Sequence, residues 1–237
     1  MLKSYFLDMN KKLVKKGSGK ASGKKTGAVK GSSAIDGKIL CEKFAGLLPG
    51  QFRIDAAKPV DSSGFSPEGA DLIIYNEYCS DIVKLLNGYV PYELIYGAVF
   101  IVDDLTKASL ADVINRVATV KKINRFAETE SSFTVPSFII ANSSSDYPLS
   151  ELKNDILNYY MSRGIEGDSE FEIMALLNKG VVVKDWHQGN RSFAALETLE
   201  DTAMWFYILL SEYLEVERDD EFDLRKYVRN DRTYKEY

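Results

Sequence analysis

Ala70-Asp71-Leu72-Ile73-Ile74-Tyr75 and, about twenty residues on, Tyr96-Gly97-Ala98-Val99-Phe100-Ile101-Val102-Asp103-Asp104 decide how this chain is read. Each run has the length and β-branched content of a buried strand. Each also sets acid at its edge: Asp71 at the first, Asp103 and Asp104 at the second. Two such strands can aim carboxylates at one point. Just downstream, Leu110, Val113, Ile114, Val117, Val120 and Ile123 recur at helical spacing, which predicts a helix over Ser109–Ile123. The next β-rich run is Ser137–Ala141, ending at Asn142-Ser143-Ser144-Ser145. Strand, helix and strand in that order predict a βαβ crossover.

Upstream, Phe52–Val60 reads as a strand, and the Gly-, Ser- and Pro-rich stretch from Asp61 to Gly69 as a loop. Ser33–Leu48 reads as a helix capped by Ser32 or Ser33 and ended by Pro49-Gly50. Glu42 lies among its apolar positions, either as a surface glutamate at the margin of the stripe or as an acid aimed into a site. Asn87-Gly88 and Pro91 break the segments between the two central runs. Further on, Pro148–Arg163 predicts a helix with Gly164 after its end, and Glu172–Val183 a hairpin turning at Lys179-Gly180. Thr198–Val216 predicts the most apolar helix, packed on the sheet. The fold class expected is α/β: a central mixed sheet flanked by helices, with a basic N-terminal extension.

The division expected is residues 1–30 as a basic helix and Gly/Ser/Lys-rich arm, 31–216 as the α/β domain, and 217–237 as a charged tail. Lys3–Lys16 has the pattern of a short amphipathic helix, and Gly17–Gly27 that of a flexible linker. The net charge of −5 hides an asymmetry, since residues 1–30 carry nine lysines against Asp8 alone, which leaves about −13 on the remainder. A phosphate-binding P-loop is not formed: Gly23-Lys24 comes one residue too early after Gly19, Lys25 stands where Ser or Thr belongs, and no strand precedes it.

Composition, at 45% apolar and 27% charged over 237 residues, is that of a soluble globular protein. No apolar run approaches a membrane span and no secretory signal is legible, so the expectation is a cytoplasmic protein without membrane contact. Cys41 and Cys79 read as reduced, buried thiols. One histidine, His187, in a polar loop, gives no zinc spacing. It reads as a surface residue.

The order of segments resembles a domain-of-unknown-function family of bacteria and their mobile elements, related to the PD-(D/E)XK restriction-endonuclease-like nucleases. The resemblance is carried by the helix with Gly37 and Glu42 ending in Leu47-Leu48-Pro49, by Ser66 and the Asp71–Tyr75 run, and by Val90-Pro91, Glu93 and Ile95–Val99. The hairpin from Ile173 to Val183 and the Leu199–Leu214 helix extend it. The resemblance implies a restriction-endonuclease-like fold. It also implies a site in which two carboxylates hold Mg²⁺ and a lysine helps activate water.

At the central Glu-x-Lys of that family this chain has Ile101-Val102-Asp103. An aliphatic side chain replaces a metal ligand, and an acid replaces the lysine beside the scissile phosphate. The reading that follows is a nuclease-like protein without cleavage, for which no cofactor is expected. It acts by binding nucleic acid or a protein partner, in a setting of phage defence or counter-defence. Lys11, Lys12, Lys15, Lys16, Lys20, Lys24 and Lys25 are the expected phosphate contacts. The alternative is an active Mg²⁺ nuclease with a migrated site. Asp71, Asp103 and Glu42 would be its catalytic carboxylates, Asp71 and Asp103 holding the metal, with Lys121, Lys122 or an arm lysine standing in for the lost one. A third reading is a protein-only interaction subunit.

Overall fold

The computed structural model describes residues 2–13, 35–123, 133–143, 147–185 and 192–215. Among these, six α-helices and nine strands form one layered α/β unit. The helices are α1 (Leu2–Leu13), α2 (Gly37–Ala45), α3 (Ser80–Leu85), α4 (Lys107–Val120), α5 (Leu149–Arg163) and α6 (Thr202–Leu214). The strands are β1 (Phe52–Asp55), β2 (Lys58–Val60), β3 (Leu72–Asn76), β4 (Tyr89–Pro91), β5 (Ile95–Val102), β6 (Ser137–Ala141), β7 (Ile173–Leu176), β8 (Gly180–Asp185) and β9 (Ser192–Glu197).

Seven strands build the central sheet in the order β1-β3-β5-β6-β7-β8-β9, while β2 and β4 pair in parallel as a small satellite. The sheet is mixed: β5, β6 and β7 run parallel, and the outer pairs are antiparallel. The expected β5-α4-β6 crossover is present, and α5 makes a second one between β6 and β7.

Alternation along the strands divides the core into two layers. On one face Ile73, Phe100, Ile139 and Met174 pack against α4 (Leu110, Val113, Val117) and α5 (Leu152, Ile156, Tyr160). On the other, Leu72, Ile74, Val99, Phe138 and Ile173 pack against α1, α2 and α6 through Phe6, Met9, Leu40, Phe44, Phe206 and Leu210. The helical part of the basic N-terminal segment therefore belongs to the core: Phe6, Met9 and Leu13 are buried.

Several expected boundaries move. Phe52–Val60 is two strands in two sheets, because the chain turns where Ala57 N donates to Asp55 O (2.9 Å) and Pro59 has no N–H to continue a ladder. Helix α2 starts later than Ser33; Asp36 caps it, accepting from Lys38 N and Ile39 N. The final helix begins at Thr202, after a 3₁₀ turn over Leu199–Asp201. Strand β9 has no counterpart in the sequence reading; Phe193 is its one buried side chain. Gly164 does end α5, in the left-handed conformation (φ 60°). The tail from Glu217, His187, Ser144 and Ser145 lie outside the described residues.

Candidate functional site

The candidate site lies at the end of the sheet where β5 finishes and β3 begins. Register fixes this, since Leu72 opposes Val99 in the antiparallel β3–β5 pair. Asp71 N extends that ladder by donating to Val99 O (2.9 Å). The Asp71 carboxylate then turns to the face covered by α4. Its Oδ2 accepts from Ile101 N and from Arg116 Nη2, each at 2.6 Å. Arg116 also donates through Nε (2.9 Å) and Nη2 (2.6 Å) to Gly69 O, and its guanidinium lies 5.6 Å from the Phe100 ring centre.

The second acid behaves differently. Asp103 stands just past β5, and its Oδ1 accepts from Ile35 N (2.8 Å). Ile35 belongs to the α2 face of the core. The two aspartates expected to converge are thus each engaged on their own side of the sheet. Asp104 O accepts from Ser109 Oγ (2.8 Å), and Thr106 with Ser109 forms a capping box that starts α4. Glu42 is exposed on α2.

Ile101, at the position where the resemblance expects a carboxylate, is half-buried and packs into the α2 face of the core. A Cβ placed on Gly37 would come within 3.2 Å of Ile101 Cδ1, so the first turn of α2 rests directly on this side chain. Magnesium requires near-octahedral oxygen ligands with little tolerance. The donors here do not fit it: one carboxylate oxygen is taken by a guanidinium and an amide, and an isoleucine fills the neighbouring position. Among the described residues, no group of three or more His, Cys, Asp or Glu side chains is placed to share an ion.

Lys121 stands at the opposite end of the sheet. Its ammonium is buried 2.6 Å from Glu172 Oε1, with its side chain 1% exposed. Glu172 also accepts from Ser137 N, and Lys184 bridges Glu170 (3.3 Å) and Gly167 O (2.6 Å) beside it. Burial pushes the Lys121 pKa down, against the pull of Glu172. Lys122 follows at the same helix end, so neither lysine reaches Asp71.

Of the expected phosphate contacts, Lys11 and Lys12 are exposed in the last turn of α1, where Lys12 pairs with Asp8 (2.6 Å). Lys15, Lys16, Lys20, Lys24 and Lys25 lie outside the described residues. The two ends of their segment nevertheless meet: Asp36 N donates to Leu13 O (3.3 Å), and neighbouring Ile35 is the residue held by Asp103. Leu13 and Ile35, the described residues that flank the basic stretch, thus lie close together, with Ile35 beside Asp103. An open cleft of about 830 Å³ at the far edge of the sheet is lined by Tyr147, Ser150, Lys153, Lys179 and Glu197. It shares no residue with this site.

Arg116 is the residue of the candidate site that sequence reasoning misses. It sits beside the apolar stripe of α4, and nothing local marks its pairing with an acid 45 positions away.

A seven-stranded mixed sheet with this order, flanked by helices on both faces, is a restriction-endonuclease-like fold. No family model matches the sequence, and no curated protein matches it. Solved structures of NucC do match in shape. NucC of P. aeruginosa ATCC27853, in its cAAA-bound form, superposes with a TM-score of 0.67 at 13% identity, covering 95% of this chain and 94% of that one. NucC of E. coli MS115-1 gives 0.62 at 16% identity in its apo form, covering 80% of this chain and 87% of that one. Its cAAA-bound form gives 0.63 at 15% identity, covering 80% and 81%. At these identities the likeness concerns the fold.

Proposed function

We propose that this chain is a restriction-endonuclease-like protein that binds nucleic acid without metal-dependent cleavage, in the setting of conflict between bacteria and phages. The observation that carries the reading is Ile101, an aliphatic residue seated under the start of α2 where such a hydrolase needs a second carboxylate. The likeness to NucC supports the nuclease-type ancestry and the defence setting. The position of Leu13 and Ile35, which flank the lysine-rich stretch, beside Asp103 supports phosphate contacts at this edge.

Labelled DNA and RNA, incubated with the purified chain in Mg²⁺ or Mn²⁺, test this. The expected outcome is binding that weakens steeply with salt, and no cut strand. Replacing Lys15, Lys16, Lys20, Lys24 and Lys25 by glutamine flattens the salt dependence by roughly one unit of slope per lysine in phosphate contact. Substitution is cleaner than deleting residues 1–30, which would also remove Phe6, Met9 and Leu13 from the core. Because two of the similar structures carry cAAA, that ligand belongs in the same assay. Cleavage that needs a divalent ion and is lost in Asp71→Ala would establish the alternative, an active site built from Asp71, Asp103 and Glu42. Absence of any nucleic-acid binding would leave the protein-partner reading.

A further inference from the structure

We propose that Arg116 fills a cation seat beside Asp71: a resident guanidinium stands where a divalent ion would neutralise this carboxylate, and it pins the start of β3 to α4. The inference deepens the non-cleaving reading above and rests on it.

The seat is built on both sides. Helix α4 is fixed by its buried Leu110, Val113, Ile114, Val117 and Val120, so the backbone of Arg116 has little freedom. Across from it, Gly69 adopts φ +130°, and a Cβ there would lie 3.2 Å from Arg116 Cβ. Only a glycine lets the helix approach this closely with that backbone. The guanidinium uses its forked geometry, with two donors on Gly69 O and Nη2 shared with Asp71 Oδ2. A lysine, as a point charge, cannot reproduce that fork. The same Asp71 oxygen takes Ile101 N, so the carboxylate closes the end of the β3–β5 ladder while its charge is met by α4. Arginine stays charged at every accessible pH. The seat is therefore filled permanently, whereas a metal ion would come and go with concentration. Asp71 is a positioning residue in this arrangement: it orders a strand end by holding a cation that the chain itself supplies.

The test is a Mn²⁺ titration of the full chain followed by thermal unfolding at constant ionic strength. The wild type is expected to show no Mn²⁺ response. Arg116→Glu places two carboxylates on one seat; it unfolds at lower temperature and is restored by millimolar Mn²⁺ but not by added NaCl. Asp71→Asn and Arg116→Gln each lower the unfolding temperature, and the double variant unfolds close to the worse single one, as contacting partners do. The inference is overturned if the wild type binds Mn²⁺ in a manner that Asp71→Asn abolishes. It is equally overturned if folded Arg116→Glu shows no Mn²⁺ rescue, or if the Asp71 and Arg116 effects add. Should Arg116→Glu not fold, the double-variant cycle decides. DNA cleavage by the wild type would instead sink the functional reading.

Discussion

The two ends of the central sheet hold opposite charges in different ways. At the end where β5 finishes, Asp71 and Arg116 form a pair with side chains 39% and 25% exposed, and Asp103 is held by one amide. At the other end, Lys121, Glu172, Glu170 and Lys184 are almost sealed from water and satisfy one another. Isolated charges at the second end would be untenable, so that cluster is architecture: it ties α4 to the approaches of β6 and β7. The first end is partly open to water, so its charges attract each other more weakly, although the Arg116–Asp71 pair still holds the start of β3. A ligand from solution can reach the charges of the first end more readily than those of the second, although lysines are plentiful at the second.

Removing one buried partner should give the largest effect. Glu172→Ala leaves the Lys121 ammonium buried without its counter-charge and should cost about 3–5 kcal/mol in denaturant unfolding. A loss below about 1 kcal/mol would erase the contrast between the two ends. A pH series sharpens the same point. The folded-state pKa of Lys121 is depressed, with burial as the main cause, so the unfolded chain binds more protons at this group as pH approaches 10.5. The stability of the wild type relative to Lys121→Met should therefore rise as pH climbs toward that value; a falling difference would contradict the burial argument.

Arg116→Gln, at the exposed end, should cost about 1–2 kcal/mol, the partial exposure of the pair discounting its charge-assisted bonds. Asp103→Ala removes a single amide contact and should cost less than about 1 kcal/mol. If either rivalled Glu172→Ala, the energetic contrast between the two ends would be lost.

The sequence made the centre of the molecule legible and its edges much less so. Strands β5 and β6 and helix α4 are long, strongly periodic and β-branched or apolar in the right places, and the crossover between them followed from their order. Strand β9 carries Ala194 and Ala195 and buries only Phe193, so neither pattern nor propensity announces it. The break between β1 and β2 depends on which sheet each half joins, a tertiary matter. At the candidate site, Asp71 could be placed at a strand edge from the apolar pattern, whereas only the family resemblance singles out Ile101. The partners that hold the two acids could not be read, because Arg116 and Ile35 meet them across 45 and 68 residues. Nor could the opposite direction of the two carboxylates, which depends on which helix covers each face.

The backbone contact between Leu13 and Asp36 has a practical consequence. It holds two described positions that flank residues 14–34 at one spot, so the closure cost of the chain between them depends only weakly on its length. Doubling the number of residues in between costs only about 0.6 kcal/mol of closure entropy. A ruler of added glycines and lysines can be spliced between Leu13 and Ile35, and nucleic-acid affinity measured against its length tests the phosphate contacts proposed for this stretch.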